Sequence, residues 1–238
     1  MNNVVKSWAK AEAAGLLAQA GVTGDQDIFG AKGFFDLYGA GALVETPVRR
    51  RLGTLSVKLY PCCYAAHRLI AAAVQARTQI PEGVPPTATI EVATPFGATQ
   101  PLRVSDPQTG AEAQFCAAYA IAVGLSSGGA TLADFTDAAA ARPDMRALMG
   151  RISVSEDALV GEPPVGLDHG SIRLAVRDGG RVIASAEVAP FPGSPADPAS
   201  AEQLTAKISD CLEAYGQASG RRLSLAAFQA TVRRLTGD

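Results

Sequence analysis

The chain has 238 residues, of which 47% are hydrophobic and 18% charged, and its formal net charge at pH 7 is −2. This length suits one large domain or two small ones with a substantial core. The near-neutral charge argues against nucleic-acid binding, and no apolar run approaches the roughly 20 residues that span a bilayer.

The first 50 residues are predicted to contain two helices. Residues 9–20 are rich in alanine and include two leucines, which favours a helix, and Gly21 is a natural stop for it. Residues 24–30 are predicted to form a loop. Residues 33–39 then read as a short helix bracketed by glycines, with aromatic side chains on its apolar face.

A polar stretch at residues 58–67 separates this region from a mixed set of helices and strands. It follows a short extended run at 55–57 and precedes an apolar helix at 69–76. Prolines make residues 81–86 a rigid connector. The alternating, β-branched residues 87–93 then predict a strand.

The second half alternates helices with extended segments. A small and apolar run at 111–125 predicts one buried helix, and further helices are expected from Leu132 and from Pro143. The later elements are a strand at 151–154, a hairpin of 171–176 and 181–188 around Asp178-Gly179-Gly180, a proline-rich linker at 190–198, a helix at 200–214 capped by Ser200, and a helix at 223–235 with Ser224 as cap. This order predicts an α+β fold.

The stretch at residues 58–67 is the main candidate for a functional site. It contains Lys58, Tyr60, two adjacent cysteines and His67. Pro61 suits the first turn of a helix, so these groups are predicted to lie at a helix N-terminus, where backbone N–H groups favour anions. Lys58 would then complete a carboxylate-binding corner. The same residues also fit a structural interpretation, with a solvated lysine, core cysteines and a packing histidine.

The cysteines and histidines predict neither a disulfide framework nor a metal site. Cys62 and Cys63 are adjacent and rarely pair, there is no C-x-x-C, and His67 and His169 are not at a ligand spacing. His169 lies in a loop rich in glycine and proline, and we expect it to be solvated. Without a phosphate-binding glycine loop or a G-x-S-x-G motif, no cofactor is expected. A reduced, cytoplasmic protein without a secretory signal is the simplest interpretation.

Six segments in order resemble the MmgE/PrpD superfamily, which includes 2-methylcitrate dehydratases, cis-aconitate decarboxylases and iminodisuccinate epimerases. They are residues 33–39, Lys58-x-Tyr60-Pro61-Cys62-Cys63 with His67, residues 113–119, Leu132-x-Asp134-Phe135-Thr136, the hairpin at 178–180, and Gly193-Ser194-Pro195. The resemblance implies a lid-type α/β domain with an antiparallel hairpin at residues 51–190. Residues 1–50 would be a remnant of the family's N-terminal helical domain, and residues 191–238 would be helices that return to it.

The resemblance also implies catalytic roles for three residues. Lys58 would hold a substrate carboxylate, and Tyr119 would donate or accept a proton near the reacting carbon. A free phenol has a pKa near 10, so Lys58 is expected to lower the pKa of Tyr119. His67 would polarise either group or position the helix.

Three further residues are expected to contact the substrate. Lys6 lies in a segment similar to one that carries another active-site lysine in the family, and Tyr60 and Cys63 belong to the polar stretch. Cys63 stands where decarboxylase-like members have an active-site histidine, which argues against decarboxylation. Cys63 could also act as a nucleophile, although a packing role is favoured over it.

Three functions follow as hypotheses. The first is a lyase or isomerase that transfers a proton next to a carboxylate or carbonyl of a small organic acid. The second is one subunit of a split enzyme, because the family is about twice as long and a helical partner could supply the missing half. The third is a non-catalytic binding or scaffold protein. A homodimer is expected because a shortened helical layer needs cover.

Overall fold

The computed structural model describes residues 12–24, 33–34, 55–162 and 167–236. The chain divides into two compact units, Met1–Arg51 and Leu52–Asp238. In the first unit, residues 12–19 form helix α1, and the chain leaves it through Gly21 with a positive φ of 86°. This confirms the predicted stop. The predicted helix at 33–39 lies largely outside the described residues.

The second unit is built on a four-stranded mixed sheet. Its strands are β1 (Thr89–Thr94), β2 (Ile152–Glu156), β3 (Ile172–Asp178) and β4 (Arg181–Val188), in the order β2-β1-β3-β4. β1 pairs in parallel with β2 and antiparallel with β3, and β3 pairs antiparallel with β4. The predicted hairpin is confirmed. Its turn places both Gly179 and Gly180 at positive φ, as a two-residue hairpin turn requires.

The second unit also contains helices, which come before, between and after the strands in the chain. They are α2 (His67–Arg77), α3 (Gly110–Ala113), α4 (Ala117–Ser127), α5 (Asp137–Ala140), α6 (Pro143–Met149), α7 (Ala201–Ser219) and α8 (Leu225–Thr236), with 3₁₀ turns at Tyr64–Ala66 and Leu132–Phe135. Helices and strands mixed in this way confirm the α+β class. The division into residues 1–50, 51–190 and 191–238 stays a prediction.

The core lies where α2 and α4 pack together beneath the sheet. Gly124 of α4 permits this contact, because a Cβ there would come within 2.6 Å of the Ala73 Cβ atom and 2.9 Å of the Ile70 carbonyl oxygen. The inward side chains of the strands, such as Ile90 and Val176, are fully buried against these helices. The helix that carries His67 is therefore fixed from both sides.

The prediction of one helix over residues 111–125 was wrong. The chain breaks between α3 and α4, and Cys116 has extended backbone angles of φ −111° and ψ 118°. Its sulfur accepts a hydrogen bond from the Tyr119 N–H at 3.5 Å, so it caps α4. The helix expected from Leu132 is likewise a 3₁₀ turn, and α5 begins only at Asp137.

The two C-terminal helices are the least covered part of the second unit. Ser200 caps α7 in a reciprocal capping box with Gln203, as predicted for its N-terminus. No side chain of α7 is buried, although half-buried apolar residues recur along one of its faces. No helix in the described part of the chain has the length and apolarity needed to cross a membrane.

Candidate functional site

An extended segment leads into the polar stretch and lies against the linker after β4. The Val57 N–H donates to the Gly193 carbonyl at 2.8 Å, and a Cβ at position 193 would lie only 2.1 Å from the Val57 oxygen. Gly193 also has a φ of 83°, so only glycine fits there. The prediction that Pro61 occupies the first turn of the helix was wrong. The 3₁₀ turn begins at Tyr64, after Cys63 has adopted extended angles.

His67, the first residue of α2, is buried and has no hydrogen-bond partner. Its exposed fraction is 0%, and neither Nδ1 nor Nε2 meets a donor or acceptor among the described residues. The rings of Tyr60 and Tyr64 each lie 5.2 Å from the imidazole, centroid to centroid. A buried polar group without a partner is costly, which makes it a candidate for contact with a ligand.

Burial, and to a smaller extent the positive charges of Lys58 and Lys207, lower the pKa of His67 to about 4. The backbone of Tyr60 opposes this shift, but it approaches the ring without completing a hydrogen bond. The imidazole is therefore neutral at pH 7, with one nitrogen able to donate and the other able to accept.

Two lysines place positive charge near this neutral ring. Lys58 is exposed, and its Nζ donates a long hydrogen bond of 3.4 Å to the Cys62 carbonyl. Lys207 is half-buried on α7. In the described part of the chain, neither lysine forms an ion pair with a carboxylate. Sequence reasoning missed Lys207, because only the fold brings α7 towards a residue 140 positions earlier.

The two adjacent thiols differ in their surroundings. Burial raises the pKa of the Cys62 thiol to about 12, so this thiol stays protonated at neutral pH and is a poor nucleophile. Cys63 is half-buried, and its N–H donates to the Gln114 carbonyl at 3.0 Å. That bond joins the start of α2 to the break before α4.

Tyr119 makes contacts separate from those of Lys58 and His67. Its side chain is 1% exposed, its hydroxyl donates to the Asp134 carbonyl at 2.5 Å, and its ring packs against Phe135. Burial, followed by the charge of Asp134, raises the pKa of Tyr119 to about 12. The expectation that Lys58 lowers this pKa was wrong, because Lys58 is not among the charges that act on the phenol.

A model of the MmgE/PrpD C-terminal domain matches residues 60–230. The match covers well over half of the chain and includes Tyr60, Cys63, His67 and Tyr119, whereas Lys58 lies just before it. The chain belongs to the MmgE/PrpD superfamily. The domain is that of a family of dehydratase- and lyase-like enzymes. A comparison with curated proteins found no significant match.

In this MmgE/PrpD chain the residue after His67 is a buried arginine that sequence reasoning also missed. The Arg68 guanidinium donates to the carbonyls of Leu167, His169, Gly170 and Ala189 at 2.7–3.1 Å. Only the tertiary fold brings these acceptors together, so no local sequence pattern predicts them.

Arg68 also begins a row of stacked side chains that ends at His67. Its guanidinium carbon lies 4.5 Å from the centroid of the Phe191 ring, which stacks at 4.2 Å on Tyr64, and Tyr64 packs against His67. A cavity of about 550 Å³ opens beside Tyr64 and Phe191. Arg68 therefore links the segment before β3 to the position of the imidazole.

Two remaining candidates have different outcomes. Lys6 lies outside the described residues, so its role stays a prediction. The expectation that His169 is solvated was wrong, because this residue is half-buried and its Nε2 lies 3.0 Å from the Phe96 carbonyl oxygen. No group of three or more His, Cys, Asp or Glu side chains within the described residues has the arrangement of a metal site.

Proposed function

We propose that the chain is a cofactor-independent lyase or isomerase that moves a proton next to a carboxylate or carbonyl of a small organic acid. The observation that carries this proposal is the buried His67 ring, which has two unpartnered nitrogens and lies near two lysines without acidic partners. Membership of a dehydratase- and lyase-like family supports the reaction class.

Substrate binding would begin with the positive charge of Lys58. A carboxylate held by its ammonium group gains a charge-assisted hydrogen bond, worth about 1.5–3 kcal/mol. Lys207 provides a second cation for the other end of a dicarboxylate. Tyr60 and Cys63 belong to the same stretch and are proposed as substrate contacts.

The bound acid would also prepare His67 for proton transfer. An imidazole with a pKa of about 4 is a weak base at pH 7. A substrate carboxylate beside the ring would offset the charges of the lysines and supply a hydrogen-bond partner, and both effects raise the pKa of His67. Binding of the substrate would thereby raise the pKa of His67 towards 7, where the imidazole is an effective base.

In the proposed reaction, the C–H bond next to the carboxylate or carbonyl breaks and its proton moves to a ring nitrogen of His67. The electron pair of that bond passes to the substrate oxygen, where Lys58 stabilises the charge. Delivery of a proton from water to the opposite face, with release of the His67 proton to solvent, gives an isomerase. Loss of a leaving group from the neighbouring carbon gives a lyase.

Tyr119 as a second proton carrier stays a prediction. For that role its hydroxyl would have to leave the Asp134 carbonyl, and its raised pKa suits a donor better than a base. A Tyr119→Phe variant that keeps full turnover would assign this residue to the core.

The test is proton exchange in D₂O with a panel of di- and tricarboxylates, followed by ¹H NMR through loss of the substrate C–H signal. This partial reaction reports proton transfer whether the product is an isomer or an alkene. We expect Lys58→Met and His67→Phe to slow exchange by at least about 100-fold. The exposed Arg103→Met is the matched control for loss of a surface cation and should exchange at the wild-type rate.

Two results would contradict the proposal. One is wild-type exchange in both site variants, which would place the chemistry elsewhere. The other is a folded chain that exchanges no member of the panel, which would favour the non-catalytic binding or scaffold function.

A second candidate function is one subunit of a split enzyme. It is favoured by α7, which has no buried side chain although Leu204, Ile208 and Leu212 repeat along one face. A helical partner chain or a second copy of this chain would cover that face. Activity of the purified chain alone, as a homo-oligomer, would argue against a separate partner subunit.

A further inference from the structure

The cavity of about 550 Å³ beside Tyr64 and Phe191 takes no part in the proposed reaction. Its volume lies within the range of roughly 300–1,000 Å³ that is typical of small-molecule sites. The described residues that line it include none of His67, Lys58 and Lys207. The cavity is therefore separate from the anion-binding groups of the candidate site.

The walls of this cavity are held in place without a ligand. Phe191 is 2% exposed, with the Tyr64 ring stacked on it at 4.2 Å and the Arg68 guanidinium carbon 4.5 Å from its centroid. The carbonyl of Leu167 accepts a hydrogen bond from Arg68 at 2.7 Å, which fixes the segment that carries Asp168. Because both walls are tied to one buried arginine, little ordering is needed when a ligand binds.

The cavity presents one carboxylate and three hydroxyl groups. Asp168 is the single charged side chain among the described lining residues, and it forms no hydrogen bond or ion pair within that part of the chain. The hydroxyls of Ser56 and Tyr64 have no described partner either. Ser194 Oγ accepts from the Asp197 N–H at 3.3 Å and keeps its own proton to donate. Leucine, proline, alanine and phenylalanine side chains form the remaining walls.

The charge of Asp168 favours a cationic ligand. Arg68 is near enough for the two charges to interact, but no ion pair joins them. Arg68 is also 1% exposed, and its terminal nitrogens already donate to four carbonyl oxygens, so it does not occupy the carboxylate. An ammonium group would gain a charge-assisted hydrogen bond from Asp168, whereas an anion would be repelled.

We propose that this cavity binds an organic ammonium ion, a primary amine carried on a small apolar or aromatic body. The ammonium group donates to the Asp168 carboxylate and to the Ser56 hydroxyl oxygen, and the body packs against Phe191 and Leu167. This site does not depend on the proposed reaction. Because the Tyr64 ring lines the cavity and lies 5.2 Å from the His67 ring, an occupied cavity should also change the His67 ring signals.

Titration of the full chain with 2-phenylethylammonium, followed by ¹H–¹⁵N NMR, tests this proposal. The amides of Asp168, Phe191 and Ser194 should shift in a saturable way, with a dissociation constant on the order of 1 mM for a ligand of this size. The alcohol 2-phenylethanol has the same body without the charge and should bind at least about tenfold more weakly. Equal affinities for the amine and the alcohol, or no saturable shift of these amides up to about 20 mM amine, would overturn the proposal.

The variant Asp168→Asn removes the charge at an exposed position, where the fold does not depend on it. Its affinity for the amine should fall at least about tenfold, while its affinity for the alcohol should stay the same. Glu82→Gln is the matched control, because it neutralises another exposed carboxylate that has no ion pair among the described residues. An amine affinity that Asp168→Asn leaves unchanged, or that Glu82→Gln lowers equally, would contradict the assignment of the carboxylate.

Discussion

Replacing Arg68 with methionine tests whether a single buried cation holds the loop before β3 to the helix of the candidate site. Arg68 is 1% exposed, and its guanidinium donates hydrogen bonds to four backbone carbonyls. Methionine keeps much of the side-chain volume and the contact with Phe191, but it leaves those carbonyls without their donor.

The expected loss of stability follows from these bonds. Hydrogen bonds to charged groups contribute about 1.5–3 kcal/mol each, but three of the four share one nitrogen and do not add fully. Removing one partner of a buried charged network typically costs about 3–5 kcal/mol, and we expect a loss in that range. With a urea m-value of about 2 kcal/mol/M, the unfolding midpoint should fall by about 2 M.

Urea unfolding followed by circular dichroism measures this loss. Arg68→Lys keeps the charge but lacks the planar fork, so its loss should be smaller than that of Arg68→Met. Arg103→Met removes an exposed arginine and should change stability by less than about 0.5 kcal/mol. A loss below about 1 kcal/mol for Arg68→Met would refute the assignment of Arg68 as the clamp of this loop.

Three further predictions concern the helices of the site. The folded-state pKa of His67 lies below its unfolded value of 6.5, so the unfolded chain binds the proton more tightly. About 3 kcal/mol of stability should therefore be lost as the pH falls from about 6.5 to 4. Urea titrations should show this loss in the wild type but not in His67→Phe. Tyr119→Phe should cost about 1–2 kcal/mol by leaving the Asp134 carbonyl unpaired, and an unchanged urea midpoint would contradict the hydrogen bond. Gly124→Ala should lower the melting temperature through a loss of about 1–3 kcal/mol, because its Cβ meets Ala73; a more stable variant would show that α2 and α4 are not packed so closely.

Local patterns predicted most of the described secondary structure. The hairpin at Gly179-Gly180 and the helix start at Ser200 depend on neighbouring residues alone, and both are confirmed. The break before α4 was not predicted, because small apolar residues continue through it. There Cys116 serves as a helix cap, a role more typical of serine or threonine.

The candidate site was only partly accessible from sequence. The polar stretch drew attention to Lys58 and His67 by composition, but burial without a partner is a property of the folded chain. Lys207 acts through its charge and Arg68 through its hydrogen bonds, in both cases on residues about 100 or more positions away, which a single sequence does not reveal.

The most direct test of the proposed site is an NMR titration of the His67 imidazole. The chain has only two histidines, so the His169→Gln variant assigns the ring signals. We predict a pKa of about 4 for the free protein, a rise when a dicarboxylate is added, and a smaller rise in Lys58→Met. A His67 pKa near 6.5 that does not respond to any dicarboxylate would contradict a buried, anion-binding imidazole at this position.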